Sequence, residues 1–386
     1  MKILKLIFKN SVRHKLRTSL TVLGIAIAVI AFGLLRTVVT AWYSGVEASN
    51  PNRLIVRQAV SFIFPLPYSY LEKIKQVPGV KEVTYANWFG GTYIDQSNFF
   101  ARYAVDASTF FDVYKEFVVP KDELDTFQKE RNSCIIGSKI AQRYHLKLGD
   151  VMTLQGDIYP GQWEFVVRGI YTPKYKSTDA DQMIFHWDYL DERMRVEMPG
   201  REGDVGWYVV LVNNAANTAS VSKQIDALFK NSPAETKSET EGAFQQGFVQ
   251  SSSAIITSMN FISFVIIGII MLVLGNTMIM SARERTREYA VLKTLGFSGK
   301  HLAAIIMGES LVISILGGVV GLLLTFPIVG TFAQFIPTGL FPVFEIKTIT
   351  MVLAVSAALI VGVAAAIFPI QRALKMKIVE GFRFVG

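Results

Sequence analysis

Four stretches of this chain are too long and too apolar for an ordinary soluble core, and they constrain the fold more than any other feature. Thr18 to Val46 holds one charged residue, Arg36; Gly242 to Ala282 holds none; Leu302 to Phe344 holds only Glu309; and Thr348 to Gln371 holds none. Each exceeds the roughly 20 apolar residues needed to cross the hydrocarbon of a bilayer. Membrane helices are therefore expected near 18–42, 256–282, 303–332 and 348–370. The composition agrees, with 51% of the 386 residues apolar and 18% charged, against about 25% charged in a soluble domain.

The net charge of +8 suggests nucleic-acid binding only until it is divided along the chain. Residues 1–17 carry six bases and no acid, residues 282–301 five bases and two acids, and residues 371–386 four bases and one acid. The long segment 46–253 has 22 bases and 26 acids. The basic excess thus sits on three short segments that an even number of crossings places on one side. By the positive-inside rule that side is the cytoplasm, with both termini inside and 46–253 outside. A nucleic-acid-binding protein would need its bases clustered on a folded domain, so no nucleic-acid partner is expected.

The first apolar run has the basic start of a signal peptide, but it is too long for the apolar core of one, and no small-residue cleavage site follows. It reads as a retained helix. Arg36 lies 19 residues beyond Arg17, about 28 Å along a helix, which would let it snorkel to the outer interface. Cys134 is the single cysteine, so an internal disulfide is excluded and the outer segment must stand on its own core.

That outer segment alternates strand-like and helix-like runs. Arg53–Arg57, Val80–Asn87, Cys134–Ile136, Val151–Gln155, Trp163–Tyr171, Gln182–Trp187 and Gly206–Asn213 are rich in Val, Ile and aromatics. Tyr68–Gln76, Ser138–His145 and Thr218–Lys230 read as helices ended by Pro78-Gly79, Gly149-Asp150 and Pro233. A mixed α/β domain follows, with two lobes expected to join near the charged stretch Lys121–Arg131.

Catalytic chemistry is hard to find. His14, His145, His186 and His301 are scattered without metal-ligand spacing, and there is no Gly-x-Ser-x-Gly elbow. Gly296-Phe297-Ser298-Gly299-Lys300-His301 resembles a phosphate loop but has two residues between its glycines instead of four and ends in His. A helix C-cap glycine followed by a Ser N-cap explains it better. No metal, cofactor or catalytic residue is expected in this chain.

Plotted at helical spacing, Lys2, Lys5, Lys9 and Arg13 fall on one arc of residues 1–17 and Ile3, Leu4 and Ile7 opposite. That pattern suits an interfacial helix on anionic lipid, the alternative being a plain topogenic charge cluster. The most informative segment lies between the second and third apolar runs. In Ser281–Gly296, the residues Tyr289, Leu292 and Leu295 repeat at helical spacing, Glu284 and Glu288 stand four apart among bases, and Gly296 stops the helix. A short helix with one charged and one apolar face must dock on something; a solvated loop would not need Val291-Leu292 and Leu295.

Here the sequence resembles a family. Arg285-Thr-Arg-Glu288-Tyr-Ala-Val-Leu292-Lys293-Thr-Leu295-Gly296, then Gly308-Glu309-Ser310, Gly317-Gly318, Gly321 and Pro369-x-x-Arg372-Ala373 resemble the FtsX-like permease domain of MacB-type (type VII) ABC transporters. Thr18-Ser-Leu-Thr-Val-Leu-Gly24, Pro78-Gly-Val-Lys-Glu-Val83, Ile136-Gly-Ser-Lys-Ile-Ala141, Leu148-Gly-Asp150 and Val167-Arg-Gly169-Ile170-Tyr171 resemble the MacB-type periplasmic core. After Ala373 the family's Pro and Leu-Arg pair is replaced by Ile378 and Gly381-Phe382-Arg383.

The resemblance implies an α-helical membrane protein of four transmembrane helices with a large mixed α/β extracytoplasmic domain between helices 1 and 2. Its expected parts are an interfacial helix 1–17, helix and stalk 18–45, outer domain 46–241, stalk and second helix 242–282, cytoplasmic coupling helix 283–297, and the remaining helices and tail 298–386. It implies a dimeric permease of the bacterial inner membrane, driven by a separate ABC ATPase that binds the ATP and Mg²⁺. Movement would pass to the periplasmic domain by mechanotransmission, and efflux would use an adaptor and an outer-membrane channel. Lipoprotein release and regulation of a cell-wall hydrolase are alternatives, with Phe62-Ile63-Phe64-Pro65-Leu66-Pro67 as a conceivable hook or simply a buried strand-to-helix connection. Residues implied in ATPase coupling are Arg285, Glu288, Leu292, Lys293, Leu295 and Gly296. Glu309, about 10 Å into the third helix, must be paired or protonated. Gly24-x-x-x-Ala28 and Gly317-x-x-x-Gly321 allow close helix approach, within the chain or between two copies.

Overall fold

The computed structural model describes residues 7, 11, 13–96, 99–336, 341 and 343–375. Most of the expected interfacial helix 1–17, and the departure at 378–383, lie outside the described residues. The chain divides into two compact units, one of residues 1–40, 253–335 and 344–386, the other of 41–252 with 336–343.

Among the described residues the first unit holds four helices long and apolar enough to span a membrane: Lys15–Trp42, Ser253–Glu284, Gly299–Ala333 and Thr348–Lys375. Their inner faces carry small residues because backbones approach closely there. A Cβ on Gly317 would lie 2.6 Å from Cβ of Ile25, and one on Gly321 2.7 Å from Cβ of Val29 and 2.8 Å from the Ala26 carbonyl. These two glycines therefore meet the first helix of the same chain. The third and fourth helices are joined by hydroxyls, Ser310 donating to the Gly362 carbonyl at 2.6 Å and Ser314 to that of Ala358. Arg36, expected to snorkel, is half-buried and donates to Asn260 of the second helix at 3.1 Å.

The second helix does not extend outward through 242–252 as expected. A separate helix, Glu241–Ser251, ends at Ser252, and the long one starts at Ser253. Ser251 turns its hydroxyl back onto the Phe248 carbonyl at 2.8 Å, a local bond of the kind that weakens a helix interior.

The second unit is a mixed sheet with helices on both faces. From edge to edge its strands run Thr236–Thr240, Arg53–Gln58, Trp207–Val212, Val80–Trp88, Ala101–Val105, Gln182–His186, Ser133–Gly137, Gly161–Pro173, Val151–Gly156 and Gly91–Tyr93. Gln182–His186 runs parallel to Ala101–Val105, and Ser133–Gly137 parallel to Gly161–Pro173; the other neighbours are antiparallel. The expected division near 121–131 is corrected by this order. Lys121–Lys129 is a surface helix, and the halves are stitched by Val80–Trp88 against Ala101–Val105, so the later strands are an insertion within the first four. The side-chain period of two sorts the strands. Leu54, Val56, Tyr208 and Val210 enter the larger core on one face, whereas Ile55, Trp207 and Val209 cluster on the other with Val113, Tyr114 and Phe244.

Candidate functional site

The segment between the second and third membrane helices is a short helix, Thr286–Thr294. Its end is a glycine-dependent stop. Gly296 has φ +88°, and the amides of Gly296 and Phe297 donate to the carbonyls of Lys293 at 3.1 Å and Leu292 at 3.0 Å. That pair of bonds is the Schellman arrangement, which satisfies the last carbonyls of a helix and requires a left-handed residue at the glycine position. Ser298 stands before the next helix as expected, but its hydroxyl engages Nδ1 of His301 at 2.8 Å and makes no bond to the helix amides.

The helix's start is held by charge. Arg285 is 7% exposed and Glu309 4%; Nη1 of Arg285 donates to Glu309 at 2.5 Å and Nε to Glu288 at 2.7 Å. Glu288 also accepts from Arg13 at 2.5 Å. Arg17 reaches Glu284 at 2.6 Å and the Ser281 hydroxyl at 3.3 Å. Burial pushes the Glu288 carboxyl up, but Arg285 and Arg13 outweigh it and hold it below the usual value. The guanidinium of Arg285 also stands 5.3 Å from the ring of Tyr289, which is buried. A carboxylate inside a membrane helix is costly alone, and the partner for Glu309 comes from just past the second helix.

The apolar side of the short helix divides in two. Tyr289 and Ala290 are buried, and Leu292, one of the residues implied in ATPase coupling, packs half-buried on the core formed by all four membrane helices. The outward apolar residues are Val291, Leu295 and Phe297, with Leu295 70% exposed. Helical spacing alone could not separate them, since Leu292 and Leu295 lie on neighbouring sides of one stripe. Lys293, also implied in ATPase coupling, donates to the carbonyls of Ala373 and Leu374 at 3.1 and 3.2 Å, satisfying acceptors freed at the end of the fourth helix. Gly24 has only Val273 near, at 4.0 Å from where its Cβ would stand; Ala28 packs beside the same four-helix core.

Sequence reasoning missed Arg13 and Arg17 as partners of Glu288 and Glu284, and it missed a second buried arginine. Arg53, 2% exposed, is held in the outer unit by Glu116 at 2.6 Å and Glu241 at 2.9 Å. Its only sequence signal was an arginine opening an apolar strand.

Comparison with known proteins places both parts of the chain. A MacB-like periplasmic core domain model matches residues 18–228, and an FtsX-like permease C-terminal model matches residues 260–378. An uncharacterized ABC transporter permease of Methanocaldococcus jannaschii is 26% identical over 82% of this chain and 81% of its own length. The macrolide export ATP-binding/permease protein MacB of Nitrobacter winogradskyi is 24% identical over 96% of this chain, which spans 58% of that relative. Among solved structures, the periplasmic region of MacB from Actinobacillus actinomycetemcomitans covers 53% of this chain and 95% of its own at 11% identity and a TM-score of 0.37. The extracellular domain of the transporter YknZ from Gram-positive bacteria covers 49% of this chain and 99% of its own at 16% identity and a TM-score of 0.36.

Proposed function

This chain belongs to the ABC transporter permeases of the MacB and FtsX type, and from that premise we propose that it is the non-catalytic membrane subunit of a complex powered by a separate ABC ATPase. The observation that carries the reading is the short helix Thr286–Thr294. It exposes apolar residues at one end, stops at a glycine, and is tied at its other end to the third membrane helix through Arg285 and Glu309. An element so built transmits displacement, because pushing on Leu295 strains a buried ion pair and the carbonyl contacts of Lys293 instead of moving a free loop.

In this reading the partner binds ATP and Mg²⁺ and grips Val291, Leu295 and Phe297. Its closure moves the third and fourth helices through Glu309 and Lys293 and the first through Arg13. The first and second helices carry the motion to the outer domain. The charge partition supports cytoplasmic termini and a periplasmic domain. Two permease copies face two ATPases, and the dimer surface lies elsewhere than Gly317 and Gly321, which are occupied within the chain. The work is efflux of a periplasmic substrate, with an adaptor and an outer-membrane channel as further partners.

The test is co-purification and stimulated ATP hydrolysis in nanodiscs with the partner ATPase. A Val291→Asp, Leu295→Asp double variant should fold yet lose both. Wild-type behaviour in both measurements would remove the coupling role from this segment. A second reading, lipoprotein release, is favoured by the loop before Leu66. There Val60 and Ile63 are 79% and 89% exposed and Phe64 51%, while Phe62 and Leu66 turn inward. Transfer of a lipoprotein to a soluble carrier, abolished by Ile63→Asp, would select it.

A further inference from the structure

The outer unit contains a cleft of about 490 Å³, a size that suits a small organic ligand. It lies on the sheet face opposite the larger core. The strand period of two delivers Ile55, Trp88, Trp207 and Val209 to it, and the helix Glu241–Ser251 supplies Phe244 and Phe248. Phe62 closes one side, its ring 5.0 Å from that of Trp207 and 5.1 Å from that of Phe244. Phe248 is 52% exposed and marks the mouth.

The polar lining is unbalanced. Among the described residues Arg53 is the one base lining the cleft, and the acids lining it are Glu116, Glu241 and Asp179. Glu116 and Glu241 hold Arg53 between them, whereas Asp179 accepts from the Asp181 amide at 2.9 Å and the Gln182 side chain at 3.2 Å and feels the charge of Lys139, which does not line the cleft. The cleft therefore carries two carboxylates beyond its base. Burial pushes the carboxyls of both Asp179 and Glu241 above their ordinary values, so each gains from any cation that reaches it. Aromatic faces attract cations as well, and Arg53 already uses that attraction, 4.2 Å over the ring of Tyr114.

We propose that this cleft is a binding site for a lipophilic cation, an ammonium group carried on an aromatic or aliphatic body. The carboxylate surplus and the ring faces take the charge, and Phe62, Phe244 and Phe248 take the body. Calling that cation the cargo rests on the transporter reading; the site itself does not. Occupancy has a route to the membrane helices along the chain. Gly45 and Ala48 line the cleft from the short helix that follows the first membrane helix, and Phe244 and Phe248 from the one that precedes the second. Those two short helices touch, since a Cβ on Gly45 would stand 3.1 Å from Gln245 and one on Gly242 2.9 Å from Ser49.

The full chain in nanodiscs, without its ATPase, is titrated with 4-phenylbutyltrimethylammonium and with 4-phenylbutanesulfonate, which pair one apolar body with opposite charges. Empty nanodiscs correct for lipid partitioning. Saturable binding of the cation is expected, at least tenfold tighter than the anion. Phe248→Ala, at an exposed position that does not endanger folding, should weaken the cation several-fold, and Asp179→Asn should narrow the gap between the two ligands. Equal or tighter binding of the anion, which would make Arg53 the dominant group, overturns the proposal. So does cation binding that is unsaturable or unchanged in both Phe248→Ala and Phe62→Ala. Failure here leaves ATPase coupling intact, because that is read by co-purification and not by ligand binding.

Discussion

The two units each bury one arginine between two carboxylates and beside a tyrosine ring. In the membrane unit Arg285 lies between Glu288 and Glu309 near Tyr289; in the outer unit Arg53 lies between Glu116 and Glu241 over Tyr114. The difference is what happens to the remaining charge. Arg13 reaches Glu288, so the membrane network closes with two bases and two acids. No second base reaches Glu116 or Glu241 within salt-bridge distance among the described residues, and Asp179 adds a third acid to the same cleft. A closed network resists displacement and suits a mechanical joint; an open one retains a field that a ligand can satisfy.

Breaking each network at its arginine gives the largest effects. Arg285→Met strands Glu309 in a membrane helix and should cost about 4 kcal/mol in unfolding titrations in detergent, because an unpaired buried charge costs more than its pair was worth. Adding Glu309→Met should restore most of that loss. If the double variant is no more stable than the single, the closed network is not what holds the joint. Arg53→Met in the outer unit should cost about 3 kcal/mol on the same ground, and here Glu241→Gln alone should be milder, since burial already disfavours its charged form.

Next come effects on association. The Leu295→Asp variant should reduce ATPase affinity by about 2 kcal/mol, the scale of an interface anchor, with thermal stability unchanged because the side chain is exposed. Leu292→Ala should show the reverse pattern, a loss of stability with little change in affinity, as its packing against the chain's own helices requires. Similar behaviour of the two leucines would erase the distinction between the inner and outer sides of this helix. Gly296→Val should cost roughly 1 kcal/mol from the left-handed backbone. It meets no steric obstacle, since nothing lies within 4 Å of its Cβ position, and it should leave the ATPase bound while lowering stimulated hydrolysis.

The smallest effect separates the units by pH. His186 is 4% exposed in the outer sheet, its Nε2 at 2.7 Å from the Phe127 carbonyl. Burial lowers its pKa from 6.5, only partly opposed by that carbonyl. The unfolded chain then takes up a proton that the folded domain resists, so stability is present above about 6.5 and is lost as pH falls from there toward the lowered value. Thermal melts of the outer unit's transition should show this slope and His186→Gln should flatten it. A slope that survives the substitution belongs to another group.

Much of the architecture is legible in the sequence. Span length and hydropathy are local sums over about 20 residues, so four apolar spans can be counted, and runs rich in Val, Ile and aromatics mark seven of the sheet strands, including Arg53–Gln58 and Trp207–Val212. Short strands such as Gly91–Tyr93 and Leu66–Pro67 escape because two or three residues are too few to show a strand-like composition. The segment between the second and third membrane helices is visible as a helix with a glycine stop, since both signals lie within twelve residues.

What the sequence by itself determined is therefore whatever depends on neighbours along the chain: the four apolar spans, the segregation of bases onto three short segments, and the stop at Gly296. Tertiary structure decided the pairings. Arg285 finds Glu309 at 24 residues' separation, Arg13 finds Glu288 at 275, and Arg53 finds Glu241 at 188. It also decided that Gly317 and Gly321 receive Ile25 and Val29 from the first helix, and that aromatic residues from positions 62 to 248 line one cleft. The reason is physical. Which residues share a helix turn or a strand face follows from backbone geometry alone, whereas which faces meet is settled by packing among all elements at once, and a buried charge can be placed only after that packing exists.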